Sequence, residues 1–190
     1  MDMPSVPSTE IYPLPEEVAG ESRQSRLQWL RDFIDENNCS AMLVTALDEI
    51  VWLLNVRASD VAYNPVALSY LLVTWDKAVW YVDKAGEKSP VTAETYAELE
   101  EDGVEIRSYD AVFEELASPE ALNFTALYVD PSTLNWHLSR VLDGISDRIR
   151  LAMGASPVPL RKSVKNTVEI EGMRSAHFED GIVMENFLYW

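Results

Sequence analysis

Apolar and polar positions alternate in short blocks along most of the chain. Apolar positions at helical spacing follow Ser22, so the pattern predicts a helix that has Ser22 as its N-cap and ends near Asn37 and Asn38. The apolar run 41–47 predicts a buried strand. Run 49–56 is too short for its period to separate strand from helix, and we favour a short helix there.

The second half of the pattern predicts further alternation of strands and helices. Residues 68–75 and 77–82 predict an antiparallel hairpin that turns at Asp76, and residues 92–102 predict a helix stopped by Gly103. Further predicted elements are a strand at 105–109, a helix at 111–116, a strand at 126–129, a helix from the N-cap Ser132 to about 142 and a strand at 148–151. This order predicts an α/β fold with a mixed β-sheet and helices on both faces.

Both ends of the chain differ from this middle part. Residues 1–20 contain four prolines and predict a connecting segment, and residues 21–160 form the α/β domain. Residues 161–190 form the last segment and are expected to contain one long helix from Thr167 to Trp190, with Asn166 and Glu169 resembling a capping pair at its start. Apolar residues fall near one stripe of that helix, at Met173, Ala176, Val183, Phe187 and Trp190. The stripe either docks back on the α/β domain or, as the preceding Pro-Val-Pro favours, belongs to a separate element.

Composition excludes several classes of protein. The chain has 15 Lys and Arg against 32 Asp and Glu, a formal charge of −17, so it is not a generic binder of nucleic acid or of an anionic membrane. No apolar run approaches the roughly 20 residues of a membrane span. One cysteine, Cys39, cannot form an internal disulfide, and with two histidines it cannot build a Cys/His zinc site. These features predict a cytoplasmic setting and partners that are neither nucleic acid nor membrane.

Carboxylates near predicted strand ends are the first candidate chemistry. They are Asp48, Glu49, Asp60, Asp83 and Asp130. Such groups can hold a divalent ion in a metal-dependent nuclease, but their spacing matches no ligand motif, and a solvated surface explains them more simply. No phosphate-binding loop or serine-nucleophile motif is present.

The polar loop at 55–65 is the second candidate. Arg57 and Asp60 can pair across a turn, Ser59 and Asp60 can cap backbone amides, and Asn64 before proline favours an extended exit. Such a loop can present a guanidinium to a carboxylate ligand or to a neighbouring domain. A purely structural clamp between the arginine and the aspartate explains the same residues, so both interpretations stay open.

At this loop the sequence resembles a known family. Residues 44–60, 64–66 and 69–70 resemble the middle domain of the trimodular Xaa-Pro aminopeptidases (aminopeptidase P) of the creatinase/prolidase superfamily. The carboxyl-terminal part resembles the helix that opens the catalytic third domain of that family. The residues that carry this resemblance are 164–166, 169, 171–174, 176–177, 180–181 and 187–190. Residues 12–15 and 19–20 are similar to the connection that leaves its first domain.

The resemblance implies a creatinase-like amino-terminal fold and a catalytic centre in a pita-bread third domain. There, two Asp, one His and two Glu hold two divalent ions, usually Mn²⁺, that activate water against the peptide bond before proline. We expect all five ligands beyond Trp190, so no catalytic or metal-binding residue is assigned within this chain. The chain is then a non-catalytic middle domain with the first catalytic-domain helix, inactive alone. Its partners would be the first and catalytic domains, with proline-containing peptides as substrates of the whole enzyme.

The resemblance also suggests a role for the loop. It would face the catalytic domain, which makes Arg57, Ser59, Asp60 and Asn64 the candidates for contact with the rim of the site. The family commonly has glycine where this chain has Ala58. If that glycine needs a positive φ, we expect strain of about 1 kcal/mol at the alanine.

Other function classes remain as alternatives. The chain can be a free-standing interaction module that forms a homo-oligomer or binds a partner through the apolar helix at 167–190. The nuclease hypothesis is weaker, because it depends only on the scattered carboxylates.

Overall fold

The computed structural model describes residues 7–83, 91–118 and 123–190. The first half contains β1 (Tyr12–Pro13), α1 (Glu16–Ala19), α2 (Arg23–Glu36), β2 (Ala41–Val44), α3 (Leu47–Leu53), β3 (Val56–Arg57), β4 (Ser69–Thr74) and β5 (Ala78–Val82). The second half contains α4 (Ala93–Glu101), β6 (Val104–Ser108), α5 (Ala111–Leu116), β7 (Ala126–Val129), α6 (Trp136–Ile145), β8 (Arg150–Met153), α7 (Val158–Ser163) and α8 (Thr167–Tyr189).

The centre of the fold is a six-stranded mixed sheet with the strand order β6-β5-β4-β2-β7-β8. Strand β4 runs antiparallel to both of its neighbours, with Leu72 opposite Leu43 of β2 and Val79 of β5. The other neighbouring pairs are parallel. The mixed sheet predicted from the sequence is therefore confirmed, including the hairpin of β4 and β5.

Apolar side chains cover both faces of this sheet. Successive side chains of a strand point to opposite faces, so Met42 and Val44 lie in one core while Ala41 and Leu43 lie in the other. The first core takes Leu27 and Leu30 of α2 and Ile50 and Leu53 of α3. The second takes Val112 and Leu116 of α5 and Leu138 and Leu142 of α6. The prediction of helices on both faces is confirmed.

Several local predictions are confirmed as well. The Ser22 hydroxyl accepts a hydrogen bond from the Ser25 amide at 3.2 Å, so Ser22 is the N-cap of α2. The favoured short helix in run 49–56 is α3. Gly103 has a φ of +73°, the left-handed conformation that ends α4.

The start of α6 differs from the prediction. Its N-cap is Asn135, whose side-chain oxygen accepts from the Leu138 amide at 2.9 Å. Ser132 cannot take this role because its hydroxyl and its amide both donate to Asp130, at 2.6 and 2.9 Å, in a local turn.

The connecting segment at 1–20 is part of the packed structure where it is described, from residue 7 onward. Ile11 is fully buried, and Tyr12 and Pro13 pair antiparallel with Arg57 and Val56. Residues 16–19 form the short helix α1, which the proline-rich sequence did not predict. Residues 1–6 lie outside the described part of the chain.

The carboxyl-terminal part contains two helices. The predicted break at Pro157 and Pro159 is instead the start of α7, where proline is tolerated because the first amides of a helix have no partner within it. The predicted capping pair is confirmed as a full capping box that starts α8. No described helix combines the length and the apolar character of a membrane span.

Candidate functional site at the 57–66 loop and the base of helix α8

Arg57 begins the loop, and backbone carbonyl groups bind its guanidinium. One of its terminal nitrogens donates to the carbonyl of Val51 at 3.2 Å and to its neighbour Val56 at 2.8 Å. No ion pair joins Arg57 to Asp60 among the described residues, so the pairing predicted from the sequence is wrong. Burial lowers the pKa of Arg57, and nearby Tyr12 and Glu169 act in the opposite direction.

Asp60 is the structural clamp of the loop. One carboxylate oxygen accepts from the amide and the hydroxyl of Thr9, at 2.8 and 2.6 Å, and the other accepts from the Leu68 amide at 2.8 Å. The prediction that Asp60 caps backbone amides is therefore confirmed. Ser59 does not share this role, because its side chain is exposed and only its amide donates, to the Thr9 hydroxyl.

The tip of the loop is a tight turn closed by a β-bridge between Val61 and Asn64. Asn64 is exposed, and its backbone amide donates to the carbonyl of Val61 at 3.0 Å. Tyr63 has a φ of +63° and a fully exposed side chain, which is an uncommon backbone conformation for a bulky residue. Ala58, in contrast, is buried and does not have a positive φ, so the strain considered from the sequence does not arise there.

Two grooves lie beside the base of α8. The smaller, of about 340 Å³, is lined by Arg57, Trp52 of α3, and Glu169 and Met173 of α8, among others. Of the four residues proposed for the rim, only Arg57 lines this groove. The structure therefore brings Arg57 to the base of α8 and leaves Ser59, Asp60 and Asn64 farther along the loop.

The larger groove, of about 690 Å³, has an aromatic wall of Trp29, Phe33 and Trp52. Across it lie Leu160 and Val164, whose side chains are mostly exposed. Trp52 takes part in both grooves. Sequence reasoning did not identify these aromatic residues as part of a site, because their spacing on α2 and α3 is also that of ordinary core positions.

Helix α8 has no buried residue along its 23 positions. Its main contact within the described chain is with α1, so the alternative in which its apolar stripe docks back on the α/β domain is wrong. Phe178 and Phe187 are 71% and 63% exposed. They are nine positions apart, about two and a half turns, so they lie on opposite sides of the helix. Apolar residues thus surround α8 and are not confined to the predicted stripe.

Three of the carboxylates near predicted strand ends contact Ser156 or helix α7. Glu49 is buried, which contradicts the expected solvated surface, and it accepts from the Ser156 hydroxyl at 2.6 Å. Asp130 accepts from the Ser156 amide at 2.8 Å, and Asp48 pairs with Lys162 at 2.7 Å. Burial raises the pKa of Glu49, and a hydrogen bond from Ser156 opposes the shift.

The described residues do not fit the pair of metal ions that the resemblance implies for the Xaa-Pro aminopeptidases. They contain no group of three or more His, Cys, Asp or Glu side chains arranged to hold a metal ion. No metal-dependent step is therefore assigned to them.

Comparison with protein families matches residues 2–169 to the creatinase/prolidase N-terminal domain. This chain belongs to that family. The match covers the whole six-stranded sheet, both cores and the 57–66 loop, and it ends within the first turn of α8.

Relatives of this creatinase/prolidase N-terminal domain are longer proteins. The chain is 36% identical over 200 residues to "Probable Xaa-Pro aminopeptidase P" of Pyricularia oryzae, covering 98% of this chain and 31% of the relative. It is 32% identical to "Xaa-Pro aminopeptidase 1" of Dictyostelium discoideum, covering 100% of this chain and 28% of that protein. The chain therefore spans about 30% of the length of these relatives.

Solved structures agree with the family. The X-prolyl aminopeptidase of Caenorhabditis elegans, described as a cytosolic enzyme with a di-nuclear active site, superimposes with a TM-score of 0.87 at 27% identity. The match covers all of this chain and 30% of that protein. The prolidase of Pyrococcus horikoshii, at 18% identity and a TM-score of 0.55, shares the fold alone.

Proposed function

We propose that this chain is the non-catalytic middle domain of an Xaa-Pro aminopeptidase, continued by the first helix of the catalytic domain, and that it has no peptidase activity alone. The parent enzyme would release the amino-terminal residue from peptides with proline in second place. Support comes from the family match, from the names of the longer relatives and from the share of their length that the chain spans.

The exposed helix α8 is the observation that carries this proposal. Helix α8 carries exposed apolar side chains on opposite sides among its charged residues, so only cover on more than one side would remove this apolar surface from water. Phe178 and Phe187 on opposite sides of α8 need such cover, and the described α/β domain reaches only its base. A catalytic domain built around α8 would supply it.

Catalysis in the parent requires divalent ions, which we expect to be two Mn²⁺ held by residues outside this chain. The solved relative is described as having a di-nuclear active site, and the described residues here offer no matching ligand group. The proposed location is the cytoplasm, supported by the description of that relative and by the single cysteine.

A peptidase assay tests the proposed inactivity. The purified chain is incubated with Mn²⁺ and an Xaa-Pro peptide, while calorimetry measures Mn²⁺ binding. We expect neither turnover nor a tight Mn²⁺ site. Turnover that increases with the amount of chain and is abolished by a chelator would contradict the proposal.

We also propose that the loop faces the catalytic domain in the parent, with Arg57 nearest to it. Arg57 already lies beside the base of α8, whereas Ser59 and Asn64 are exposed farther along the loop and Asp60 has both oxygens engaged. Calorimetry of this chain with the separately produced catalytic domain of a relative tests the contact. Arg57→Met is expected to weaken binding more than Ser59→Ala, and equal affinities would contradict the assignment.

A self-associating module is the second candidate, favoured by the same exposed helix. A two-stranded coiled coil buries one stripe and leaves the opposite side polar. Sedimentation of Phe178→Lys and Phe187→Lys therefore separates the two functions. A discrete dimer lost in only one variant supports the module, whereas equal effects of both variants on association support burial of α8 on all sides.

A further inference from the structure

Arg26 lies at the junction of α1, α2, α3 and α8. Its side chain is only 1% exposed, and its guanidinium carbon lies 4.1 Å from the ring centroid of Trp52. The terminal nitrogens donate to the carbonyls of Trp52 at 2.6 Å and of Ala19 at 3.2 Å. A positive charge in such a buried position is tolerated only if carboxylates accompany it.

Two carboxylates from different parts of the chain supply this compensation. Glu21, just before α2, lies 3.5 Å from the Arg26 Nε, and Glu169, in the first turn of α8, lies 3.8 Å from a terminal nitrogen. Burial lowers the pKa of Arg26, while both glutamates act in the opposite direction. Glu169 also accepts from the Asn166 amide at 3.0 Å, so the residue that completes the helix cap also faces the buried arginine.

Asn166 ties the same turn to α1. Its side-chain oxygen accepts from the Glu169 amide at 2.8 Å, which caps α8, while its side-chain nitrogen donates to the Ala19 carbonyl at 2.9 Å. One side chain therefore starts the helix and attaches it to another element.

Gly20 makes this close approach possible. It has a φ of +69°, and a Cβ placed there would lie 2.3 Å from the Asn166 side-chain oxygen. A side chain at position 20 would strain the backbone and displace the Asn166 side chain, which links α8 to α1.

We propose that Gly20, Arg26, Asn166 and Glu169 form a latch that fixes the direction of α8 relative to the α/β domain. No residue of α8 is buried, so the contacts at its first turn determine where its far end points. At about 1.5 Å per residue, the 23-residue helix is about 34 Å long, and a tilt of about 10° at its base would move its far end by about 6 Å. The latch concerns this chain alone, whereas its use in orienting a catalytic domain rests on the proposed function.

Distances between two spin labels test the latch. Labels are placed on Asp147→Cys and Glu185→Cys, both exposed positions, in a Cys39→Ala background, and pulsed electron paramagnetic resonance gives the distance distribution. We expect one narrow distance distribution in this doubly labelled chain, which is the parent variant for the substitutions below. A broad distribution in it would overturn the proposal.

Three substitutions then break separate parts of the latch. Asn166→Asp keeps an N-cap acceptor but loses the donor to Ala19, Glu169→Gln removes the charge that faces Arg26, and Gly20→Ala introduces the colliding methyl group. Each is expected to shift the mean distance or to at least double the width of the distribution. Glu171→Gln and Gly172→Ala are the matched controls on α8, where Glu171 is exposed and a methyl group at Gly172 meets open space.

The urea midpoint of each variant separates orientation from stability. A changed distance distribution in Asn166→Asp, with a midpoint within experimental error of the parent variant, supports a positioning role. If Gly20→Ala fails to fold, the other two variants decide the matter. Distributions for Asn166→Asp and Glu169→Gln that match those of the controls would overturn the latch, whatever the peptidase assay shows.

Discussion

The carboxylate of Asp60 holds both the amide and the hydroxyl of Thr9, a residue 51 positions earlier in the chain. Its second oxygen holds the Leu68 amide just before β4. Asp60 therefore joins the amino-terminal segment, the loop and the central sheet through one side chain.

Replacing Asp60 with asparagine should destabilise the fold. An asparagine oxygen can still accept from Thr9, but its NH₂ group would then face the Leu68 amide, so one charge-assisted hydrogen bond is replaced by two opposed donors. We expect a loss of about 1–3 kcal/mol in the free energy of unfolding, measured with urea. Ser59→Ala is the control and should change stability by less than about 0.5 kcal/mol. Equal urea midpoints for Asp60→Asn and Ser59→Ala would show that the hydrogen bonds of Asp60 do not stabilise the fold.

Position 58 tests whether alanine is strained in this loop. Ala58 is fully buried and lacks a positive φ. Replacing it with glycine removes a buried methyl group and increases the freedom of the unfolded chain, so Ala58→Gly should cost about 1–2 kcal/mol. Ala62→Gly, at an exposed position of the same loop, should cost less. A more stable Ala58→Gly variant would mean that the alanine is strained after all.

Glu49 should make stability depend on pH. Burial raises the pKa of its carboxyl in the folded state, with Asp48 and Asp130 acting in the same direction and Ser156 and Lys162 opposing. The folded state therefore binds the proton more tightly than the unfolded state. The resulting stabilisation is complete below the pKa of the unfolded chain and is lost as pH rises through the raised pKa.

Glu49→Gln removes this dependence. The variant should have a higher urea midpoint than the unsubstituted chain at pH 7, and the difference between the two midpoints should shrink at pH 4. Glu101→Gln, at an exposed position of α4, should show no such change between the two pH values. A lower midpoint for Glu49→Gln at pH 7 would contradict the assigned direction.

Two glycines should respond in opposite ways to alanine. A Cβ at Gly154 would lie 2.3 Å from the Tyr128 hydroxyl oxygen, which donates to the Ala155 carbonyl at 3.0 Å. Gly154→Ala should therefore break that hydrogen bond and cost about 1–3 kcal/mol. Gly144 lies in α6 with open space at its Cβ position, so Gly144→Ala should stabilise by up to about 1 kcal/mol. Thermal unfolding of both variants measures the difference in sign.

Local features were predictable where all the residues that produce them lie close together in the sequence. The Ser22 cap, the stop at Gly103 and the capping box at Asn166 each depend on residues within one turn of the chain. The predicted start of α6 was wrong because Ser132 and Asn135 have similar capping strength, and the turn at Asp130 engages Ser132. The predicted pair of Arg57 and Asp60 failed because Asp60 finds a distant partner in Thr9.

The sequence by itself determined the six strands of the mixed sheet, the main helices that cover it and the family, because hydrophobic periodicity and capping act over a few residues and the motifs are continuous in the chain. Only the tertiary structure decided which side chains meet across long separations, such as Asn166 with Ala19, 147 positions apart. It also decided that Glu49 is buried and that α8 is exposed on every side. These properties depend on how elements pack against each other, and a polar residue in a sequence does not indicate which distant partner will satisfy it.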